Sequence, residues 1–242
     1  MEFSESELHA IVNRPGPVDL SNRDLSGANL KKLNLYRADL RGANLEDACL
    51  IQADLQAADL EGACFENAVL SGAKLQGSNI RGVDWTNALF WRTNLRDAPF
   101  SMANLRGAKL IECNLVGSFL ICANLQNANL WCANLKKAIL FDAKLTGSNL
   151  EGANLMYARL DDAILSYSEL SGAKLDHACL IDADLSGANL DSVSLRNTDL
   201  SGAILNGANI EGVEYYSEKS WQGTVWPEGF DPQLAGAVLL EE

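Results

Sequence analysis

The chain has few of the residues from which metal sites and disulfides are built. Its 242 residues include two histidines, six cysteines and five prolines. No C-x-x-C pair is present, and His9 and His177 are far apart along the chain, so the ligand spacing of a zinc site is missing. We therefore expect no metal, no cofactor and no disulfide, and six free thiols in a reducing cytoplasm.

Long apolar runs and catalytic motifs are missing as well. No run approaches the roughly 20 residues that a membrane span needs. The opening Met-Glu-Phe-Ser-Glu-Ser-Glu is acidic, whereas a signal peptide opens basic and then runs apolar. A nucleophile elbow of the G-x-S-x-G kind and a Gly-rich phosphate loop are both lacking. The expectation is a cytoplasmic protein with no membrane contact and no catalytic residues.

What the chain does have is a strict period of five. Each of the 39 multiples of five from Leu20 to Ile210 is a large apolar residue, and 33 of them are Leu. The residue two before is usually Ala, and the residue two after holds 15 of the 19 glycines. A period of five fits neither a helix nor a strand. The pattern instead indicates a chain that turns a corner every five residues, with Gly where the corner needs a positive φ.

The repeated unit resembles the pentapeptide repeat family. The segments Ala28-Asn29-Leu30, Ala43-Asn44-Leu45, Ala53-Asp54-Leu55 and Ala188-Asn189-Leu190 carry the resemblance. It implies an all-β fold, a right-handed quadrilateral parallel β-helix with four pentapeptides per coil. About ten coils at the strand spacing of a sheet make a shaft on the order of 45 Å long. Residues 20 apart should then stack in columns, with the rings of Phe65 and Trp85 stacked inside.

The two ends are expected to be short helical caps. Residues 1–17 contain a capping box of Ser4 and Glu7, and residues 18–212 form the β-helix. Residues 213–242 form a C-terminal cap whose short helix would begin at Asp231, with Pro232 at its first position. The tail is similar to those of cyanobacterial members of the family.

Outward positions turn apolar in two places on opposite faces, which we name the first and second ridge. The first ridge is Val69, Leu89, Trp91, Ile111 and Trp131; the second, next to Pro99, is Phe119, Ile121, Ile139 and Phe141. Contiguous apolar stacks on a soluble wall usually mark a contact surface. We predict that at least one ridge binds a protein partner of unknown identity or a second copy of the chain. The alternative is a terminal segment folded back over one ridge.

These features predict a non-enzymatic, rigid scaffold for protein interaction or regulation. The net charge of −13 suggests an alternative, because some family members protect DNA gyrase by mimicking duplex DNA. Residues 18–212, however, hold 23 acids and 17 bases, and the rest of the excess lies at the ends. The negative balance argues against direct nucleic-acid binding. A carboxylate cluster near His177 is expected to be a solvated surface; it comprises Asp142, Asp161, Asp162, Asp182 and Asp199.

Overall fold

The computed structural model describes residues 3–13, 16, 18–215 and 224–240. From Asp19 onwards, residues 20 apart pair in parallel, as in the pairs Asp19–Asp39 and Asn189–Asn209. Each pairing is a single residue long, because the chain turns again after five residues. Four pentapeptides therefore close one coil, and the right-handed quadrilateral β-helix expected from the sequence is confirmed.

Most pentapeptides of the shaft make the same set of backbone hydrogen bonds. In the pentapeptide around Leu125, the N–H groups of Leu125 and Asn127 donate to the next coil at 2.7 and 3.0 Å. Asn124 donates to the preceding coil at 2.9 Å, and Ala128 closes the turn onto the Leu125 carbonyl at 3.0 Å. The ladder runs along the shaft axis, so each coil is held by the coils before and after it.

The second turn residue of every pentapeptide from Asn22 to Gly212 has a positive φ, between 53° and 72°. The corner therefore demands the left-handed region throughout, and glycine is only one way of meeting that demand. Asn, Asp and Arg also occupy this slot, at a steric cost that Gly avoids. From Asn22 to Ser192, all of these residues except Gly72, Gly77 and Gly82 donate their N–H groups to the next coil, which offsets part of that cost.

The core is a ladder of large and small apolar side chains. Leu125 and Leu145 are fully buried in adjacent coils, and dispersion and area burial between such layers stabilise the shaft. In most small inward slots that hold Ser or Thr, the hydroxyl donates to a carbonyl, as in Thr93 Oγ1 to Leu70 O at 3.0 Å. The hydroxyls of Ser118 and Ser148 are exceptions, since they are buried without a hydrogen-bond partner among the described residues. The predicted stacking of Phe65 and Trp85 is confirmed, with ring centroids 4.6 Å apart.

The N-terminal cap is a helix, α1, from Glu5 to Val12. Ser4 is its N-cap and forms the predicted capping box with Glu7. Leu8 is fully buried and Val12 nearly so, both in the core cluster of the shaft. The helix therefore places its apolar side on the core. The sequence also predicts that Pro15 ends this helix by disfavouring the α region at Arg14, but both residues lie outside the described residues.

The C-terminal cap differs from the expectation. Asp231 Oδ1 accepts the N–H groups of Gln233 and Leu234, as a helix N-cap does. The segment nevertheless makes only a turn over residues 232–236. The helix does not continue, because Gly236 takes a φ of 98° and the following residues pair as a strand. That strand, β2 (Val238–Leu239), lies parallel to β1 (Glu214–Tyr215).

The sequence also predicts an apolar side of the C-terminal helix formed by Leu234, Val238 and Leu239. Val238 and Leu239 instead form the strand that pairs with β1 at the last coil, and Leu234 is exposed. Trp226 packs against Tyr215 and Phe230, with ring centroids 5.4 Å apart in both pairs. Trp221 lies outside the described residues. In the part of the chain that the structure describes, no helix has the length and apolarity to cross a membrane.

Candidate partner-binding surfaces

The outward slot before each large residue has a structural role when it holds Asn or Asp. The side-chain oxygen accepts the backbone N–H two residues later, as in Trp131 N to Asn129 Oδ1 at 3.0 Å and Thr86 N to Asp84 Oδ1 at 3.0 Å. This N–H is the one that the intercoil ladder leaves free, so the Asx side chain completes the backbone hydrogen bonding. An apolar residue in this slot gives up that bond. Val69, Leu89, Phe119 and Ile139 all do so.

The first ridge is assembled as expected. Val69 pairs with Leu89. Backbone hydrogen bonds join the successive turns that carry Trp91, Ile111 and Trp131: Arg92 N donates to Ile111 O at 3.0 Å, and Glu112 N donates to Trp131 O at 2.9 Å. Trp91 is 48% and Trp131 39% exposed, while the other members are half-buried. The first ridge therefore exposes its two tryptophan side chains to water, while its other apolar side chains are half-buried.

Charged neighbours hold the Trp91 ring. The Arg92 guanidinium lies 4.8 Å from the ring centroid, and Arg92 Nε contacts Glu112 Oε2 at 2.8 Å. This bond from Arg92 lowers the pKa of the Glu112 carboxyl below its ordinary value. The Trp91 Nε1–H reaches Glu112 Oε1 at 3.5 Å. Because the ring is already oriented, it loses less freedom when another surface packs against it.

The side chains of the second ridge are less exposed than the tryptophans of the first ridge, and one of its rings is partly covered. Phe119 pairs with both Pro99 and Ile139 and is 42% exposed, whereas Ile121, Ile139 and Phe141 are half-buried. Arg159 lies over the Phe141 ring at 4.5 Å from its centroid. This surface therefore offers less free apolar area than the first ridge.

The described terminal segments contact the two ends of the shaft. Helix α1 packs on the first coil, and β2 pairs with β1 beside the last coil. Trp91, Trp131 and Phe119 keep their exposure in the same structure. The placement of α1 and β2 therefore favours open ridges over the alternative of a covering tail.

The carboxylate cluster near His177 is only partly the solvated surface that was expected. Asp142, Asp162 and Asp182 are exposed, but the Asp161 side chain is 14% exposed and contacts Arg159 at 3.3 Å. His177 stacks on Tyr157 with parallel rings 4.6 Å apart. Among the described residues, no group of three His, Cys, Asp or Glu side chains has the arrangement to hold a metal ion.

Cys113 is the one cysteine in an inward slot, and it is buried. Its thiol donates to the carbonyl oxygen of Phe90 at 2.6 Å. Burial raises the pKa of the Cys113 thiol to about 12, so the group stays protonated and packs as a small apolar side chain. The other five cysteines are half-buried or exposed free thiols.

Comparison with known proteins agrees with the geometry. The family model of pentapeptide repeats (8 copies) matches in overlapping segments from residue 19 to residue 213. The chain belongs to the pentapeptide repeat family. None of the curated proteins matches it at a significant level.

Solved structures include similar proteins. HetL, a pentapeptide repeat protein involved in heterocyst differentiation regulation in the cyanobacterium Nostoc sp. strain PCC 7120, is 28% identical. The alignment covers 88% of this chain and 96% of HetL, with a TM-score of 0.40. QnrB1, a plasmid-mediated fluoroquinolone resistance protein, is 19% identical over 88% of this chain and 94% of its own, with a TM-score of 0.37.

A pentapeptide repeat protein from the cyanobacterium Cyanothece 51142 is 34% identical over a shorter stretch. That stretch covers 45% of this chain and 63% of the other, with a TM-score of 0.20. Similar proteins thus occur in cyanobacteria, as the tail resemblance suggested.

Proposed function

We propose that the chain is a non-enzymatic cytoplasmic scaffold that binds a protein partner through the first ridge. The observation that carries the proposal is the exposure of Trp91 and Trp131, 48% and 39%, on one column of the wall. Tryptophan is enriched among the residues that dominate interface energies. The shaft does not need these side chains, because neither packs in its core.

The wall around the ridge also supports a binding role over catalysis. The shaft has no inserted loop between Asp19 and Gly212, so the outward side chains stand on a flat surface that does not exclude water. Catalytic groups depend on such exclusion to strengthen their electrostatic interactions. A flat, pre-ordered aromatic surface instead suits a macromolecular partner.

The double variant Trp91→Ser/Trp131→Ser tests the proposal. We expect it to fold and melt like the wild type while losing association with the partner or with a second copy of the chain. The measurements are thermal unfolding, pull-down from native lysate and sedimentation velocity. A double variant that melts several degrees earlier and keeps every association would show that the ridge is covered by the chain itself.

Tyr36→Ser is the matched control for this experiment. Tyr36 occupies the same turn slot, is 47% exposed, and has Arg37 at 5.2 Å from its ring centroid. It lies outside both ridges. Loss of association in the tryptophan variant but not in Tyr36→Ser would assign binding to the ridge rather than to exposed aromatic residues in general.

The DNA-mimic alternative has weaker support from the charges. Acids along the described shaft are paired with bases in the ion pairs Arg41–Asp39, Lys74–Asp54, Arg92–Glu112 and Arg159–Asp161. A phosphate mimic needs a regular, unneutralised negative surface. Inhibition of gyrase supercoiling by the pure protein at stoichiometric amounts would favour this alternative over the scaffold.

A further inference from the structure

One interface between coils is unlike the others. It lies between residues 63–82 and residues 83–102, and we name its irregular part, residues 71–83 against residues 90–104, the seam. Pairing occurs at Lys74–Asn94 and Asp84–Asn104, but Asn79 and Pro99, which lie between these pairs, are not paired with each other. All of these residues are described. No backbone hydrogen bond of normal geometry crosses from residues 71–83 to residues 90–104.

The same interface is intact on the remaining two faces. Phe65 N donates to Asp84 O at 2.8 Å, and Leu70 N donates to Leu89 O at 2.7 Å. The seam is therefore open over two adjacent faces and closed over the other two. This arrangement allows bending in one direction only, because the two bonded faces stay together as a pivot while the two open faces can separate.

Pro99 explains part of the break. In the regular ladder the residue in this slot donates to a carbonyl of the preceding coil, as Phe119 N does to Ala98 O at 3.0 Å. Proline has no N–H group, so the equivalent bond to Ser78 cannot form. It also carries no side-chain oxygen to accept the N–H of Ser101.

Oversized core residues explain the rest. In residues 83–102 three of the four large inward slots are aromatic, whereas the preceding coil has Phe65 alone. The Trp85 ring lies 5.1 Å from Phe90 and 6.1 Å from Phe100, measured between ring centroids. Trp85 Nε1 is buried without a hydrogen-bond partner among the described residues. A wide coil stacked on a narrow one cannot keep all four faces in register.

The packing at the seam is correspondingly loose. Leu75 and Ile80 are 6% and 3% exposed, whereas the residues in the other large inward slots from Leu20 to Leu200 are at most 1% exposed. A cleft of about 220 Å³ opens beside Leu75 and Ala98. The Gln76 side chain reaches across it to Asn94 O at 3.1 Å. The flexible Gln76 side chain thus donates to the carbonyl that a backbone N–H group would use in a regular ladder.

We infer that the seam is a hinge, at which residues 18–82 bend relative to residues 83–215 about the two closed faces. Gly72, Gly77 and Gly82 occupy three successive corners of the lower side, where backbone freedom is greatest. The first ridge crosses the pivot, since Val69 lies below it while Leu89 lies above it. The second ridge lies entirely above. Bending therefore alters the shape of the first ridge and leaves the second unchanged.

Hydrogen exchange in the full chain tests whether the seam opens. We expect its amides to exchange about a hundredfold faster than those 40 residues later, which occupy the same slots in a complete ladder. The two sets are residues 72, 75, 77, 80 and 82 and residues 112, 115, 117, 120 and 122. Equal protection of the two sets would overturn the hinge.

Distances between spin labels test whether opening bends the shaft. Labels at positions 36 and 136 lie five coils apart in one column across the seam, and labels at 96 and 196 lie equally far apart above it. The label-to-label distances of both pairs should centre at about 24 Å, and the distance distribution of the 36/136 pair should be broader. The background replaces the five outward cysteines by Ser: Cys49, Cys64, Cys122, Cys132 and Cys179.

The closing variant is Pro99→Asn/Phe100→Leu, which restores an N–H donor, an Asx acceptor and the usual core residue. It should narrow the 36/136 distribution to that of 96/196 and slow exchange at residues 75–82 about tenfold. Phe119→Asn, one coil later in the same column, where the N–H bond to the preceding coil is present, is the control and should change neither. Distance distributions of equal width for 36/136 and 96/196 in the unaltered shaft would refute the seam as the pivot. A 36/136 distribution that stays broad in the closing variant would refute it as well.

Discussion

The seam and the stretch from Leu105 to Leu195 are built from the same five-residue unit, yet they differ in the hydrogen bonds and packing that hold neighbouring coils together. In the later stretch every pentapeptide keeps its intercoil bonds, and the large residues are all Leu. At the seam, one proline and three aromatic residues remove the bonds of half a coil. Stability in a repeat protein is a sum over neighbouring interfaces. Uniform appearance in the sequence therefore conceals local differences in strength.

The largest expected effect comes from exposing an interface altogether. Deleting residues 1–14, or everything after Gly212, leaves a coil whose backbone groups have no neighbour, and such an edge pairs with other chains. We expect aggregation or end-to-end association, detected by light scattering. If both truncated chains remain monodisperse, the terminal segments are not needed as caps.

Substitution of one leucine in each region measures the difference directly. Leu125→Ala opens a cavity in the tight stretch and should cost about 2 to 5 kcal/mol. Leu75→Ala, at the loosely packed seam, should cost no more than about 2 kcal/mol because the site can collapse or hydrate. Urea unfolding gives both values. Equal losses would mean that the seam is packed as tightly as the later coils.

A pH dependence tests the coil directly above the seam, where Cys113 donates to Phe90 in the coil below. Its pKa is raised to about 12 from an ordinary value of 9.0, so the folded state holds the proton more tightly than the unfolded state. The resulting stability is complete below pH 9 and is lost as pH rises towards 12, by up to about 1.4 kcal/mol per unit.

Cys113→Ser should remove this component of the alkaline loss, since serine keeps a donor and does not ionise in that range. The measurement is urea unfolding of the wild type and the variant between pH 8 and pH 11. Cys122→Ser, at an exposed cysteine, is the control. A wild type and Cys113→Ser variant with parallel pH profiles would contradict the tight burial of the thiol.

The period of five excluded a regular helix and a regular strand, and the resemblance to the pentapeptide repeat family implied the right-handed coil of four pentapeptides. The columns followed from four pentapeptides per coil, so the stack of Phe65 on Trp85 and the placement of Trp91 near Trp131 could be anticipated. Whether a partner binds the ridge stays a prediction. The Asx bonds were missed because they join a side chain to a backbone group, which a pattern of residue types does not display.

The C-terminal helix was predicted from a good cap at Asp231 and was wrong because pairing with β1 competes for the same residues. The seam was missed because it arises from a mismatch between two coils, each acceptable alone. Its signals were present in the sequence as three successive corner glycines and Pro99. They acquire meaning only when the neighbouring coil is considered.

The direction of the backbone ladder has a mechanical consequence. Its hydrogen bonds run along the shaft, so a pull on the two ends acts on the junctions between coils in series, and each junction carries the full force alone. The shaft should therefore yield under low force, one turn of 20 residues at a time, each step releasing roughly 65 Å of chain. The least bonded junction, the seam, would therefore separate first, so the shaft would break under tension about one third of the way along its length and not at either end.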